Sequence, residues 1–303
     1  MKLFYQGRDI TTDCDIVACR HVDTAGRSDF LELEMLHAPV WSEWNPEPDD
    51  LIRVTESGYD TGKMYLAEVR PEGDRYRLWA SSTPLAARAK KYKSFESKTI
   101  AQMLDDCAQE CGMQAELFGV SGSAKCAFEI RNNETAPAFA QRILRREGAI
   151  LKAMDGKLIG ISLAYAQGIQ TACGIRLDEG SEQTGYIRED AKRMSGADVQ
   201  TAFASGSASD AEGKSGRIWM GNLPAESDAQ AAKWARGILL YENSMCERLK
   251  LAMEFMPEVS ALCRVQIEGS AQTEGMWNVL EAQHEMIKKE TRLVLFRIAQ
   301  GVR

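Results

Sequence analysis

Residues 247–298 read ERLKLAMEFMPEVSALCRVQIEGSAQTEGMWNVLEAQHEMIKKETRLVLFRI. Leu249, Leu251, Met253 and Phe255 alternate with Lys250, Ala252 and Glu254, the period of a half-buried strand. Pro257 ends that run, because proline cannot donate to a ladder. Val259, Ala261, Cys263, Val265 and Ile267 alternate next, and residues 269–275 form a turn. Residues 276–286 and 291–298 give a third and a fourth strand. Four such runs make an antiparallel sheet of the size of a small barrel or split barrel.

Upstream, Ser227 and Gln230 fit a capping box for a helix carrying Ala231, Trp234, Ala235, Ile238 and Leu239 on one stripe. Residues 202–216 are rich in Ala, Ser and Gly and read as a mobile connector. In the middle, Ser97 or Thr99 caps a helix bearing Ile100, Met103, Leu104 and Cys107, with Gly112 as its stop. Residues 128–131 form a short strand. Thr135 caps the next helix, Pro137 sits in its first turn, Phe139, Ile143 and Leu144 face inward, and Gly148 ends it. Residues 150–154 and 157–161 flank Asp155-Gly156, a two-residue hairpin signal. Residues 1–92 read as all-β, with Leu31, Leu33 and Met35 on the inner face of one strand and a hairpin at 63–81. The stretch 41–50 is a loop.

The chain has 303 residues, 44% hydrophobic and 27% charged, enough for two compact units. Its net charge of -7 argues against a protein that grips nucleic acid along its length. Arg88, Lys90, Lys91 and Lys93 form a local exception, read as a solvated linker or as a contact for an acidic partner or passing nucleic acid. No apolar run approaches the ~18 residues that span a bilayer, and residues 1–13 lack a signal-peptide core. The expectation is therefore a protein made and kept in a cytoplasm, or one that leaves by lysis rather than by secretion. Eight cysteines form no CxxC pair and read as reduced core residues.

Chemistry is not signalled. His21, His37 and His284 are dispersed, with no HExxH or Cys-His spacing for a metal. The paired acids Asp49-Asp50 and Asp105-Asp106 point in different directions, unlike carboxylates set across a glycosidase cleft. There is no GxSxG, Walker loop or GxGxxG. The sequence thus names no catalytic residue, cofactor or metal.

Two blocks resemble the late control D, or baseplate hub, family of phage and phage-like tails. One is KSFESKTIAQMLDDCAQECGM (93–113) with RNNETAPAFAQRILRREGAILKAMDGKLIGI (131–161); its matching positions are Phe95, Thr99, Asn133, Glu134 and Phe139. The other is SDAQAAKWARGIL (227–239) with the four strands, matching at Pro257, Trp277, Val279 and His284. Glu258 stands where the family pattern has glycine. The matched segments, 95–161 and 227–298, cover just under half of the chain.

The resemblance implies an α+β, mostly β chain with two tail-tube-like antiparallel β-barrel domains. The first comprises 1–92 with about 162–200, and the second 217–303. A helix-containing insertion at 93–161 lies between them, and 202–216 serves as a flexible connector. It implies a homotrimer whose pseudo-sixfold ring joins a hexameric tail tube to a trimeric central spike, at the baseplate of a contractile particle assembled in a bacterial cytoplasm. Tube, spike, tape-measure and other baseplate proteins are the implied partners, with DNA passing through if the particle is a phage. The alternatives are a hub of a non-contractile tail and, in a different class, a tail-associated peptidoglycan hydrolase.

Overall fold

The computed structural model describes residues 1–36, 45–177 and 181–303. His37 and part of the predicted 41–50 loop lie outside them. The chain opens with β1 (Lys2–Tyr5), β2 (Arg8–Asp9), β3 (Ile16–Thr24), β4 (Phe30–Leu36), β5 (Leu51–Glu56), β6 (Tyr59–Asp60), β7 (Met64–Glu72), β8 (Arg75–Ser81) and β9 (Lys91–Thr99). Then come α1 (Ile100–Glu110), β10 (Gln114–Phe118), β11 (Lys125–Glu134), α2 (Ala136–Arg146), β12 (Ala149–Met154), β13 (Lys157–Ser162) and α3 (Leu163–Gly168). The remainder is β14 (Thr171–Arg176), β15 (Ser181–Arg188), β16 (Met194–Gln200), β17 (Ser205–Ser209), β18 (Ser215–Met220), α4 (Asp228–Ser244), β19 (Glu247–Glu254), β20 (Arg264–Glu268), β21 (Gly275–Glu285) and β22 (Glu290–Phe296). The class is α+β and mostly β, as the alternating patterns predict.

Fourteen of the described strands form one sheet. Its N-terminal half runs β3-β4-β8-β7-β5-β1-β2, with β6 beside β5. Leu31, Leu33 and Met35 are buried there with Leu3, Val54, Met64 and Leu78. Its C-terminal half runs β14-β20-β21-β22-β19-β15, around Trp277, Val279, Leu249, Leu251, Val265 and Leu295. Two barrels were expected, but neither half closes among the described residues. The reason is β21. Residues 275–278 pair with β20, while Glu281–Glu285 pair with β3. Backbone groups that closure would have satisfied are satisfied by the other half instead.

Other expectations need correction. Residues 162–200 were grouped with 1–92, yet β14 and β15 pair with β20 and β19 of the C-terminal half. The supposed connector 202–216 contains β17 and the start of β18, which flank β16 in a three-stranded sheet under α4. Small residues are there for contact rather than freedom. A Cβ on Gly206 would lie 2.0 Å from the Ala232 backbone nitrogen. The strand expected over 259–267 starts only at Arg264. Leu262 takes φ +71°, and its N–H turns to Val279 O at 2.7 Å.

The helix-containing body shares one core among α1, α2, β12, β16 and α4, with Phe139, Leu144, Val199 and Trp234 inside. Thr99 accepts from Gln102 N at 3.2 Å while the Gln102 side chain accepts from Thr99 N at 2.9 Å, a complete capping box. Thr135 caps α2, and Gly112 and Gly148 take the left-handed conformations that end the two helices. Asp155 and Gly156 both have positive φ, as a tight hairpin between β12 and β13 requires. At α4 the box is only half made: Ser227 accepts from Gln230 N, but the Gln230 side chain accepts from Glu226 N instead of Ser227 N. All eight cysteines are free thiols, with Cys107 and Cys111 in the core as expected.

Candidate functional site

The pairing of β3 with β21 places His284 opposite His21. Both rings are buried. His21 Nδ1 lies 2.6 Å from the Tyr59 hydroxyl, and the Tyr59 ring packs on His284 with centroids 4.2 Å apart. His284 reaches Thr291 Oγ1 and Val259 O, each at 3.1 Å. Burial pulls His21 down to about 3 and His284 down to about 4, so both are neutral.

Beside them, Lys152 of β12 enters the seam. Its ammonium donates to Asp23, to Asp29 at 2.7 and 2.8 Å and to Thr24 O at 3.2 Å. Asp23 also accepts from Ala261 N at 3.1 Å. Burial works to raise the Asp23 carboxyl, and Lys152 outweighs it and holds the group below its ordinary value. Burial pushes Asp29 up to about 7, with Lys152 pulling against it. This knot joins the helical body, the N-terminal half and the Ala261 segment of the C-terminal half. Of these residues only His21 and His284 were singled out from sequence, as dispersed. The legible signal for the rest was a lysine inside the apolar run 150–154.

The chemistry of the seam is that of a weld. Its cation is neutralised, and among the described residues no group of three or more His, Cys, Asp or Glu could hold a metal ion.

The remaining expected positions serve the local frame. Phe95 stacks on Phe139 with centroids 4.9 Å apart. Asn133 takes φ +53° at the bulge of β11, and Glu134 accepts from Arg142 at 3.0 Å. Pro257 follows β19. Trp277 is buried, its Nε1 donating to Thr273 O at 2.7 Å, and Val279 O accepts from Leu262 N.

The basic cluster divides. Lys91 and Lys93 bind Glu110, which Arg131 also reaches at 2.7 Å. Burial opposes the charge of Glu110, but hydrogen bonds from Lys93, Arg131 and Lys91 hold it down at about 2. Arg88 and Lys90 are exposed and have no carboxylate partner among the described residues.

Among the described residues, strands β9 and β11 pair only with each other, forming a two-stranded ribbon. Tyr92, Phe128 and Ile130 on its outer face are 74%, 42% and 49% exposed. A trough of about 460 Å³ runs along β11, its lining including Phe128, Ile130, Asn132, Arg142, Asn222 and Pro224.

The geometry can now be set against known proteins. No family model matches the sequence. No curated protein matches it either. Solved structures do. The 43 kDa tail protein of prophage MuSo2 from Shewanella oneidensis aligns over 98% of this chain and 97% of its own, with TM-score 0.73 and 12% identity. A tail protein from Neisseria meningitidis MC58 aligns over 99% and 96%, with TM-score 0.72 and 10% identity.

The chain has the fold of phage tail proteins.

That tail-protein fold is also similar to the E. coli c3393 protein, a component of the type VI secretion system. This match covers 99% of the chain and 78% of c3393, with TM-score 0.67 and 10% identity. At such identities the likeness is one of fold. The paired strand sets and the intervening helical body lie within the aligned span, because the matches to both tail proteins run nearly end to end.

Proposed function

We propose that this chain is a tail hub of the late control D type. Three copies close into a ring at the baseplate of a contractile particle, in a phage, a tail-like bacteriocin or a related injection system. The ring joins a sixfold tail tube to a threefold spike. Tape-measure and other baseplate proteins are further neighbours, assembly takes place in the host cytoplasm, and no catalysis is required. The observation that supports the reading is the division of one sheet into an N-terminal and a C-terminal strand set, both open and joined through β21. Each unit answers to one tube-like domain, so three chains supply six. The tail-protein fold, shared end to end, supports it.

Sedimentation and negative-stain electron microscopy of the purified chain test the proposal, with tail tube and spike proteins from the same source added in turn. Threefold rings that bind both are expected. A chain that stays monomeric and binds neither overturns the reading.

A further inference from the structure

The knot at Lys152 has the parts of an acyl-transfer site as well as those of an ion pair. Its three members stand on fixed backbone. Gly26 N donates to Leu151 O at 2.7 Å and Ser28 bridges Ala153, so the loop after β3 is tied to β12 on both sides of Lys152. Asp23 lies within β3, opposite Ala282 of β21, and Asp29 N donates to Ser82 Oγ at 2.8 Å. The side chains of Lys152, Asp23 and Asp29 are 3%, 8% and 3% exposed, which shuts water out. The two carboxyls are placed differently. Asp29 turns both oxygens to the Lys152 nitrogen, at 2.7 and 2.8 Å, and accepts from Thr24 N at 2.9 Å. Asp23 offers one oxygen to Lys152, and its other oxygen accepts from Ala261 N at 3.1 Å. A backbone N–H in that position stabilises the negative oxygen that forms when a carboxyl carbon is attacked. An amine hydrogen-bonded to a carboxyl oxygen stands within about 3.5 Å of its carbon, the range of a reacting pair.

We propose that Lys152 and Asp23 join as an internal amide, with Asp29 carrying the protons. Asp29 moves one ammonium proton to the Lys152-facing oxygen of Asp23, giving a neutral amine and a neutral acid. The amine attacks the Asp23 carboxyl carbon, the C–N bond forms, and charge gathers on the oxygen held by Ala261 N. Asp29 moves a second nitrogen proton to the same hydroxyl, the C–O bond breaks, and one water leaves. That water takes one Asp23 oxygen and two Lys152 protons; nothing is oxidised or reduced, and Asp29 ends as it began. Burial opposes the charge on Lys152, but Asp29 and Asp23 outweigh it, so the free amine is rare and the bond forms slowly, as a maturation step. Burial pushes Asp29 up to about 7, where a carboxyl both takes and releases protons near neutrality. The amide removes two charges from a site without water, relieving the desolvation that an ion pair retains. It fastens the helical body to the N-terminal strand set across 129 residues. The bond does not depend on the ring.

The test is the intact mass of the purified full chain, folded, stored near neutral pH and then denatured. A chain lighter than its sequence by one water is expected, with a digest product joining the segments around residues 23 and 152 and faster migration on a denaturing gel. Lys152→Arg should abolish the loss, and Asp29→Asn should slow it by about 10²-fold or more, with folding of each variant checked by circular dichroism. The unaltered chain decides even if the variants misfold: folded protein that keeps its full mass holds an ion pair only and overturns the proposal. It is equally overturned if the lost water maps to a succinimide at Asp155-Gly156, if the link runs to Asp29, or if the bond forms as fast in Asp29→Asn.

Discussion

The seam and the helical body both bury cations, and they do so in opposite ways. In the body, Arg131, Arg142 and Arg146 meet Glu110, Glu129 and Glu134, with Lys91 and Lys93 adding to Glu110. Every partner lies between residues 91 and 146, and the carboxylates are shared. Glu129, for example, holds both Arg142 and Arg146. In the seam a single lysine serves two aspartates from another unit, at separations of 129 and 123 residues. The body's network is local and redundant. The seam's is long-range and has no spare. The body is thus able to organise early from neighbouring contacts, while the seam forms only once distant strands have met.

The sharpest way to break that contrast is Lys152→Met. It leaves Asp23 and Asp29 buried without their cation and should cost about 3–5 kcal/mol in urea unfolding. Arg146→Met should cost less, roughly 1–3 kcal/mol, since Arg142 remains on Glu129 at 2.8 Å. Equal losses at the two sites would dissolve the distinction.

Taken per pH unit, the most gradual expected effect lies in pH. Unfolded, the two histidines protonate at about 6.5; folded, they resist until about 3 and about 4. Their contribution to stability is present above about pH 6.5 and drains away as pH falls towards about 4. Asp29 has the opposite sign. Raised to about 7, it contributes below its unfolded value of about 4, and that contribution is lost as pH rises through about 7. Two histidines against one aspartate leave one net proton, so stability should fall by roughly 1.4 kcal/mol per pH unit between about 6.5 and 4. Asp29→Asn removes the opposing group and should about double that slope, read from urea midpoints at two pH values. A flat profile in both proteins would show that the seam does not carry these protonation states.

Legibility from sequence follows the same division. Alternation placed Leu31, Leu33 and Met35 inward, and local chemistry narrowed the first cap to Ser97 or Thr99, of which Thr99 is used, and placed the cap at Thr135 and the turn at Asp155-Gly156. These depend on neighbours a few residues away. The second partner of β21 did not show, because a strand's own pattern says which face is buried and not which distant strand lies beside it. Lys152 shows in the sequence as a lysine inside an apolar run, but its role stays hidden for the same reason: its meaning lies in Asp23 and Asp29. The segment 202–216 misled because smallness serves both looseness and close approach, and only the proximity of α4 to Gly206 separates the two.

The split allegiance of β21 has a mechanical consequence. Load applied to one strand set reaches the other through the backbone of a single continuous strand, with no slack joint between them. Sliding the sets apart must rupture a row of interstrand hydrogen bonds acting in parallel, so the two strand sets behave as a stiff bracket rather than a hinge.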